Sequence, residues 1–373
     1  MSNSDSLNKK ARARFKRNKS AMVGFVLILL STVVAVFAYQ IAPDNTPDAN
    51  EQILELETHP PGFKVSMLQL KKEIPPVEGN ILQSFFFGRV AGYSFVPILE
   101  AKVEGDNVLA QVYKGINFSS EEKVFSKSQL RIDERGNPEI VSKRFLLGTD
   151  RFGRDILSRL ILGVRVSLFV GMIAVLISLA IGIVLGAFAG FFGGWIDEGI
   201  MWLINVFWAI PTLLLAMGLY VGVGGLIESK LLLIFIAVGL TMWVDVARLV
   251  RGQFILLREM EFVTAATSMG FSNVRTIFKH ILPNAMGPII VVACSNFANA
   301  ILVESGLSFI GLGIQPPAPS WGGMLNEYRD FIDSDKAFLA LSPGIAIMIL
   351  VLAFNLVGNG LRDALDVKGK SSE

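Results

Sequence analysis

Side chains able to do chemistry are few in this chain and lie far apart. There are two histidines, His59 and His280, and one cysteine, Cys294, and the histidines have no metal-ligand spacing with each other or with nearby acids. No Ser/His/Asp constellation is legible, and nothing matches G-x-x-x-x-G-K-[ST], so the chain cannot by itself cradle a nucleotide phosphate in the P-loop manner. The exception is Glu304, inside the otherwise apolar Ile301-Leu-Val-Glu-Ser-Gly-Leu-Ser-Phe-Ile-Gly-Leu-Gly313. A carboxylate there costs about 3 kcal/mol at a bilayer centre and normally faces a cavity or a partner, which makes Glu304 the best candidate for a translocation-path charge. The alternative is a structural role beside Gly306, where it would cap a broken helix. His59, beside Pro60, reads as surface decoration. Asp245 and Arg248, within one helical turn, read as a structural ion pair. Cys294 has no partner and forms no intrachain disulfide.

The second chemical feature is a handle rather than a site. Glu261-Phe-Val-Thr-Ala-Ala-Thr-Ser-Met-Gly-Phe-Ser-Asn-Val-Arg-Thr-Ile-Phe-Lys-His-Ile-Leu-Pro283 is a charged, helix-forming segment between two long apolar runs. Phe262, Ala265, Ala266 and Met269 fall at i, i+3, i+4 and i+7, on one narrow helical face whose alanines let another protein approach closely. Gly270 ends that helix, Ser272 or Asn273 starts a second in which Arg275 and Lys279 share a face, and Pro283 marks the foot of the next apolar run. The spacing predicts two short helices joined as an elbow.

What positions these residues is a membrane domain. With 52% hydrophobic residues and 27 Phe in 373 residues, the chain is too apolar for an ordinary soluble domain. A spanning helix needs about 20 apolar residues. Six stretches qualify, near 21–42, 166–192, 200–224, 231–250, 285–312 and 338–358. The first has no charge from Ser20 to Ala42 and exceeds the core of a signal peptide, so it reads as a retained anchor. Pro211 and Pro343-Gly344 can bend the third and sixth spans.

Lys and Arg near the span ends set the orientation. Residues 1–20 carry seven, residues 248–283 carry five and the tail from 362 carries three, which puts both termini and the elbow in the cytoplasm. Arg151, Arg154, Arg159 and Arg165 lie on the side this makes external, where a long loop escapes the rule. That loop, residues 43–145, has turn signals at Pro60-Pro61, Pro75-Pro76, Gly79-Asn80, Gly105-Asp106-Asn107 and Gly136-Asn137-Pro138. Phe95–Val103 and Val108–Tyr113 flank the Gly-Asp-Asn turn as a hairpin, so a small β-rich domain is expected. After it, Asp150 is placed to cap an amphipathic helix on the outer leaflet, with Phe152, Ile156 and Leu160 on one face and Arg151, Arg154, Asp155 and Arg159 on the other. The net charge of +2 is a topology signal, and no basic patch suggests nucleic acid.

Four segments carry a resemblance. Ala265-Ala266, three residues, Gly270 and then His280-Ile-Leu-Pro283 resemble the EAA loop of ATP-binding-cassette (ABC) importer permeases, with Thr264 in place of Glu and His280 in place of an apolar residue. Leu147-Gly-Thr-Asp-Arg-Phe-Gly-Arg-Asp-Ile-Leu-Ser-Arg159 is similar to the LGTDxxGRDxxSR segment of the oligopeptide, dipeptide and nickel branch. Glu304 to Leu325, through Gln315-Pro-Pro-Ala-Pro-Ser-Trp-Gly322, resembles that branch's ExxLSFLGLGxxPPxPSWGxML stretch. Phe354–Asp366 resembles its ending, with Asn359 for Asp and Val367 for Pro. The resemblance implies an all-α integral membrane protein with six transmembrane helices of the type I ABC importer fold and a β-rich extracytoplasmic insertion between helices 1 and 2. In those terms the chain divides into a basic tail (1–20), helix 1 (21–42), the insertion (43–145) and the permease domain (146–373), with a coupling loop at 251–283. Glu261, Phe262, Ala265, Ala266, Met269, Gly270 and Pro283 would then contact an ATPase.

The implied protein is not an enzyme. It is half of a heterodimeric peptide pore in a bacterial inner membrane, with a sister permease, one or two ABC ATPases that bind ATP and Mg, and an extracytoplasmic binding protein. It holds no cofactor or metal itself. A nickel or other small-solute permease of the same branch is the alternative. A secondary carrier would be expected to show internal repeats or several intramembrane charges.

Overall fold

The computed structural model describes residues 3–72, 80–115 and 120–365; the turn signals at Pro75-Pro76 and Gly79, and the tail from Asp366, lie outside them. The N-terminal basic tail is helical, α1 (Asn3–Arg17). Asn18 then caps α2 (Lys19–Val36) by accepting a hydrogen bond from the amide of Ala21 at 3.1 Å, as short polar side chains do at helix starts. A short α3 (Ala38–Ile41) leads into the insertion.

The insertion is an antiparallel sheet. Its strands are β1 (Phe63–Lys71), β2 (Tyr93–Glu104), β3 (Asn107–Val112), β4 (Glu121–Ser126) and β5 (Ile140–Phe145), in the order β4-β3-β2-β1-β5, with a short helix α4 (Ile81–Phe87) between β1 and β2. The β2–β3 hairpin turns at Gly105-Asp106, as the sequence predicts. Met67 and Leu68 are adjacent in β1 and both fully buried. β1, paired with β2 and β5, is therefore buried on both faces, with Leu56 and Phe145 in the cluster on one side and Leu130 and Val108 in that on the other.

The bundle follows: α5 (Ile156–Phe192), α6 (Gly194–Trp208), α7 (Thr212–Val223), α8 (Lys230–Arg258), α9 (Glu261–Ser268), α10 (Asn273–Arg275), α11 (Leu282–Phe309), α12 (Trp321–Tyr328) and α13 (Phe338–Leu365). Among the described residues five helices are long and apolar enough to cross a membrane, and α6 with α7 makes a sixth if the pair is taken as one broken span, bent by 96° at Ala209–Pro211. The sequence suggested one continuous span at 200–224. Pro211 lacks the amide proton that would carry the helix across the break. The second span begins at Ile156 instead of near 166, and residues 251–258, expected as loop, are the last two turns of α8.

The α5–α8 contact is the spine of the bundle. Gly182, Gly186 and Gly190 form a stripe on α5, and a Cβ at Gly190 would stand 2.6 Å from the carbonyl oxygen of Arg251. Only glycine permits backbones this close, which is how helices pack tightly where lipid supplies no hydrophobic drive between them. Arg251 grips Asp197 of α6 with two hydrogen bonds of 2.5 and 2.6 Å, and Arg258 Nη1 donates to the carbonyl of Phe191 at 3.0 Å. That grip is the closest ion pair of this end among the described residues; Arg258 and Glu259 lie 3.7 Å apart. Asp245 is exposed and makes no ion pair among the described residues, and Arg248 lies 4.0 Å from the centre of the Trp208 ring. A flat apolar ring attracts the guanidinium there.

Candidate functional site

Two features at opposite ends of the bundle hold the residues singled out above. The first is the elbow between α8 and α11. In α9, Val263 is buried against Phe254, Val250, Ile277 and Ile281, and Ala266 is buried as well, whereas Phe262, Ala265 and Met269 face outward. The sequence grouped Ala266 with the outward face. The structure removes it, because the core of α8 and α11 claims the neighbouring i, i+3 pair. Glu261 is exposed in the first turn, favourably placed at the positive end of the helix dipole.

The turn after α9 is a Schellman motif. Gly270 has φ +74, its amide bonds to the carbonyl of Thr267 at 2.9 Å, and the amide of Phe271 reaches back to Ala266 at 3.2 Å. Phe271 then stacks on His280 with ring centroids 5.5 Å apart and carries the Arg275 guanidinium 4.0 Å from its own centroid. The aromatic ring of His280 thus fastens the elbow where an aliphatic residue could not stack. From Asn273 the chain is helical to Phe309, with a π-helical turn at Thr276–Ile281 closed by the amide of Leu282 on Ile277. Pro283 cannot donate to the carbonyl four residues back and its ring crowds that group; the wider turn just before it makes the room.

The second feature is at the far end, where Leu147–Arg159 meets Glu304–Leu325. Residues 150–155 are not an amphipathic surface helix. Asp150 is fully buried. Its Oδ1 accepts from the amides of Phe152 (2.9 Å) and Arg154 (3.0 Å), and its Oδ2 from Arg154 Nε (2.6 Å) and Tyr328 (3.1 Å). Arg154 also pairs with Glu327 on α12, while Arg159 stands 3.6 Å from Glu327 and 3.9 Å from Asp150. Asp155, rather than Asp150, caps α5 through the amide of Ser158 at 2.9 Å. Burial pushes the Asp155 carboxyl up, against the hydrogen bonds from Ser158. Burial first, and the Asp150 carboxylate next, hold the Tyr328 hydroxyl well above its usual value, so it remains a neutral donor.

This charged knot also anchors the insertion. The amide of Ile53 donates to the carbonyl of Phe152 at 3.1 Å, and the amide of Thr149 to that of His59 at 3.1 Å. His59 is buried, not decorative. It is 1% exposed, with Nε2 2.7 Å from the Tyr113 hydroxyl and its ring 4.0 Å from that of Phe63.

Beside the knot is a cavity of about 560 Å3, lined by Arg154, Arg159, Glu327, Ser308, Ser320 and the Gln315–Pro317 loop among others. Glu304 does not line it. Glu304 is fully buried, accepting from Ser308 Oγ at 2.7 Å and Ser305 Oγ at 3.4 Å. Ser308 stands between it and the cavity and lies 3.5 Å from Ser320 Oγ. Glu304 and the elbow are at opposite ends of α11, so the structure does not bring them together.

Comparison with known sequences locates both features in one family. Residues 182–368 match the family described as binding-protein-dependent transport system inner membrane component, and residues 6–61 match the N-terminal transmembrane domain of oligopeptide transport permease C. The dipeptide transport system permease of Alkalihalophilus pseudofirmus is 47% identical over 60% of this chain and 72% of its own length. The di/tripeptide permease of Pseudomonas aeruginosa is 45% identical over 61% and 74%. The glutathione permease of Pectobacterium atrosepticum is 42% identical over 60% and 73%.

Proposed function

The chain belongs to the family of binding-protein-dependent transport system inner membrane components, and on that premise we propose that it forms one half of a pore for small peptides. As an ABC importer permease it is a multi-pass membrane subunit and not an enzyme. Support for peptides comes from relatives named for dipeptides, di- and tripeptides and glutathione, itself a tripeptide. The elbow and both termini face the cytoplasm, in keeping with the Lys and Arg distribution.

The observation that carries the mechanism is the two-sidedness of α9. Val263 fastens it to α8 and α11, and its outward Phe262, Ala265 and Met269 are exposed among the described residues. In our reading that face sits against an ATPase subunit, which holds ATP and Mg. Closure of two such subunits around nucleotide displaces α9 and, through the α5–α8 spine, tilts the bundle against a sister permease; the differential contact at the elbow is what shifts the equilibrium between inward and outward opening. An extracytoplasmic binding protein delivers the solute at the far end, where the knot and the cavity lie. Glu304 acts there indirectly, by fixing Ser308 in the cavity wall.

The test is to purify the chain from its native membrane and identify what accompanies it. P-loop ATPases should co-purify with the wild type and be lost from Ala265→Arg and Met269→Glu, with peptide-stimulated ATP hydrolysis lost in parallel. ATPases retained by both variants would sink the coupling assignment. Hydrolysis stimulated by another solute class, with no response to peptides, would sink the substrate assignment alone.

A further inference from the structure

Where α2 leans on α5, the flank of the bundle carries a groove of about 470 Å3. Ile28 and Val36 of α2 form one wall and Leu168 and Met172 of α5 the other; Phe297 and Phe354 close the back, their rings stacked with centroids 3.9 Å apart. The eight helical rises from Ile28 to Val36 give the groove a length of ~12 Å along the helix. Apart from Thr32 and Arg165 every lining side chain is apolar, and the Thr32 hydroxyl is used on the carbonyl of Ile28 at 2.8 Å.

Arg165 is the one charge. Its Nη1 donates to the carbonyl of Phe86 at 2.6 Å, and its guanidinium lies 5.6 Å from the Tyr39 ring centre and 5.8 Å from that of Phe86. Among the described residues it makes no ion pair with a carboxylate. Tyr39 follows the apolar run of α2, so this height is the interface at which aromatic and basic side chains collect. At the same height α4 and the three residues beyond it present Leu82, Phe86, Phe87 and Val90, between 46% and 68% exposed. The helix is held in that pose by Phe85 against Phe37 (centroids 5.8 Å apart), by Gln40 Nε2 on the carbonyl of Phe85 (3.3 Å) and by the Arg89 amide on Asn45 (2.9 Å). Four large apolar side chains displayed together on an insertion mark an interaction surface.

We infer that the groove binds one glycerophospholipid of the leaflet opposite the elbow. One acyl chain lies between α2 and α5, the phosphate meets the remaining N–H groups of Arg165, and α4 rests in the headgroup layer beside it. An acyl chain already lies among hydrocarbon, so burying it brings no hydrophobic drive. Shape and the guanidinium–phosphate pair select the ligand, the planar fork matching two phosphate oxygens. Charge decides the occupant: a helix from another protein would have to bring a carboxylate to this depth to match Arg165, whereas a phospholipid brings its anion to the interface.

The experiment uses the full chain with its accompanying subunits in mild detergent. Native mass spectrometry follows uptake of phosphatidylglycerol and of diacylglycerol, which lacks the phosphate. The wild type should take up one phosphatidylglycerol in preference to diacylglycerol. Arg165→Gln should lose about five-fold in phosphatidylglycerol affinity, Arg165→Lys should retain most of it, and Met172→Trp, which fills the groove, should abolish uptake of both lipids. Leu214→Trp, on an exposed face of α7, is the control and should change neither. Equal phosphatidylglycerol uptake by the wild type and Arg165→Gln, or by the wild type and Met172→Trp, would overturn the assignment. The fluorescence of a Phe87→Trp variant should also be quenched by lipids brominated near the headgroup, and its failure to be quenched would overturn the placement of α4.

Discussion

Replacing Gly270 with alanine isolates one physical quantity at the elbow. The residue has φ +74, and a Cβ built there meets nothing within 4 Å, so the substitution introduces no clash. What remains is the intrinsic cost of a left-handed conformation for an L-residue, about 1–2 kcal/mol. That corresponds to an elbow that opens about 5- to 30-fold more often. The amides of Gly270 and Phe271, bonded to Thr267 and Ala266, report it directly. Their hydrogen-exchange protection should fall by that factor, while amides in the α8 core around Val250 stay unchanged, since this is local opening rather than global unfolding. Gly270→Asn supplies the second arm: asparagine visits this region more readily than alanine, so its loss should be several-fold smaller. Equal losses for Ala and Asn, or none for Ala, would refute the conformational argument. A loss extending into α8 would show that the elbow is not an independent unit.

Three further outcomes follow. Gly190→Ala forces a Cβ to 2.6 Å from Arg251 O and should cost about 1–3 kcal/mol by overpacking, whereas Gly199→Ala, with open space around it and a helical backbone, should be neutral or stabilising by about 0.5–1 kcal/mol; thermal unfolding of the two variants gives the comparison. Asp150→Asn replaces an acceptor of four hydrogen bonds with a group that must turn a donor toward other donors, and leaves Arg154 with Glu327 alone. A loss of about 3–5 kcal/mol is expected, and less than about 1 kcal/mol in chemical denaturation would contradict the buried network. Burial lowers the His59 pKa from its usual 6.5, so the unfolded insertion binds a proton more readily than the folded one. Its contribution is therefore complete above pH 6.5 and is lost as pH falls toward the folded value. Hydrogen-exchange protection factors, taken relative to the intrinsic rate at each pH, should fall in β1 and around Tyr113 over that window in the wild type and not in His59→Gln.

The helices and the elbow were legible because their signals are local. Uncharged runs give the spans, and Gly270 with the apolar spacing before it gives the turn. The misread residues all depend on partners far along the chain. Arg154 looks like one side of an amphipathic helix until Glu327, 173 residues on, is known to meet it, and the same meeting lets α5 begin at Ile156, ten residues before hydropathy would start it. His59 has no neighbour in sequence that predicts Tyr113, 54 residues away. Ala266 and Ala265 are alike in type, and only the packing of α9 on α8 and α11 tells which is inward. Glu304 was found by its cost in an apolar run, but that cost is met by Ser305 and Ser308 on its own helix, a pattern readable in Glu-Ser-x-x-Ser once the helix is assumed.

The glycine seam between α5 and α8 has a mechanical consequence. Two rods joined backbone to backbone, and clamped at the elbow end by Arg258 on Phe191, resist bending separately. In the proposed coupling, a push delivered at α9 would be conveyed as rotation of a stiff lever. With 29 residues in α8 the lever is ~43 Å long, so a tilt of only ~5° displaces its far end by ~4 Å. The amplitude at one end is set by leverage across the bundle, and the seam acts as the weld that keeps the stroke from being absorbed on the way.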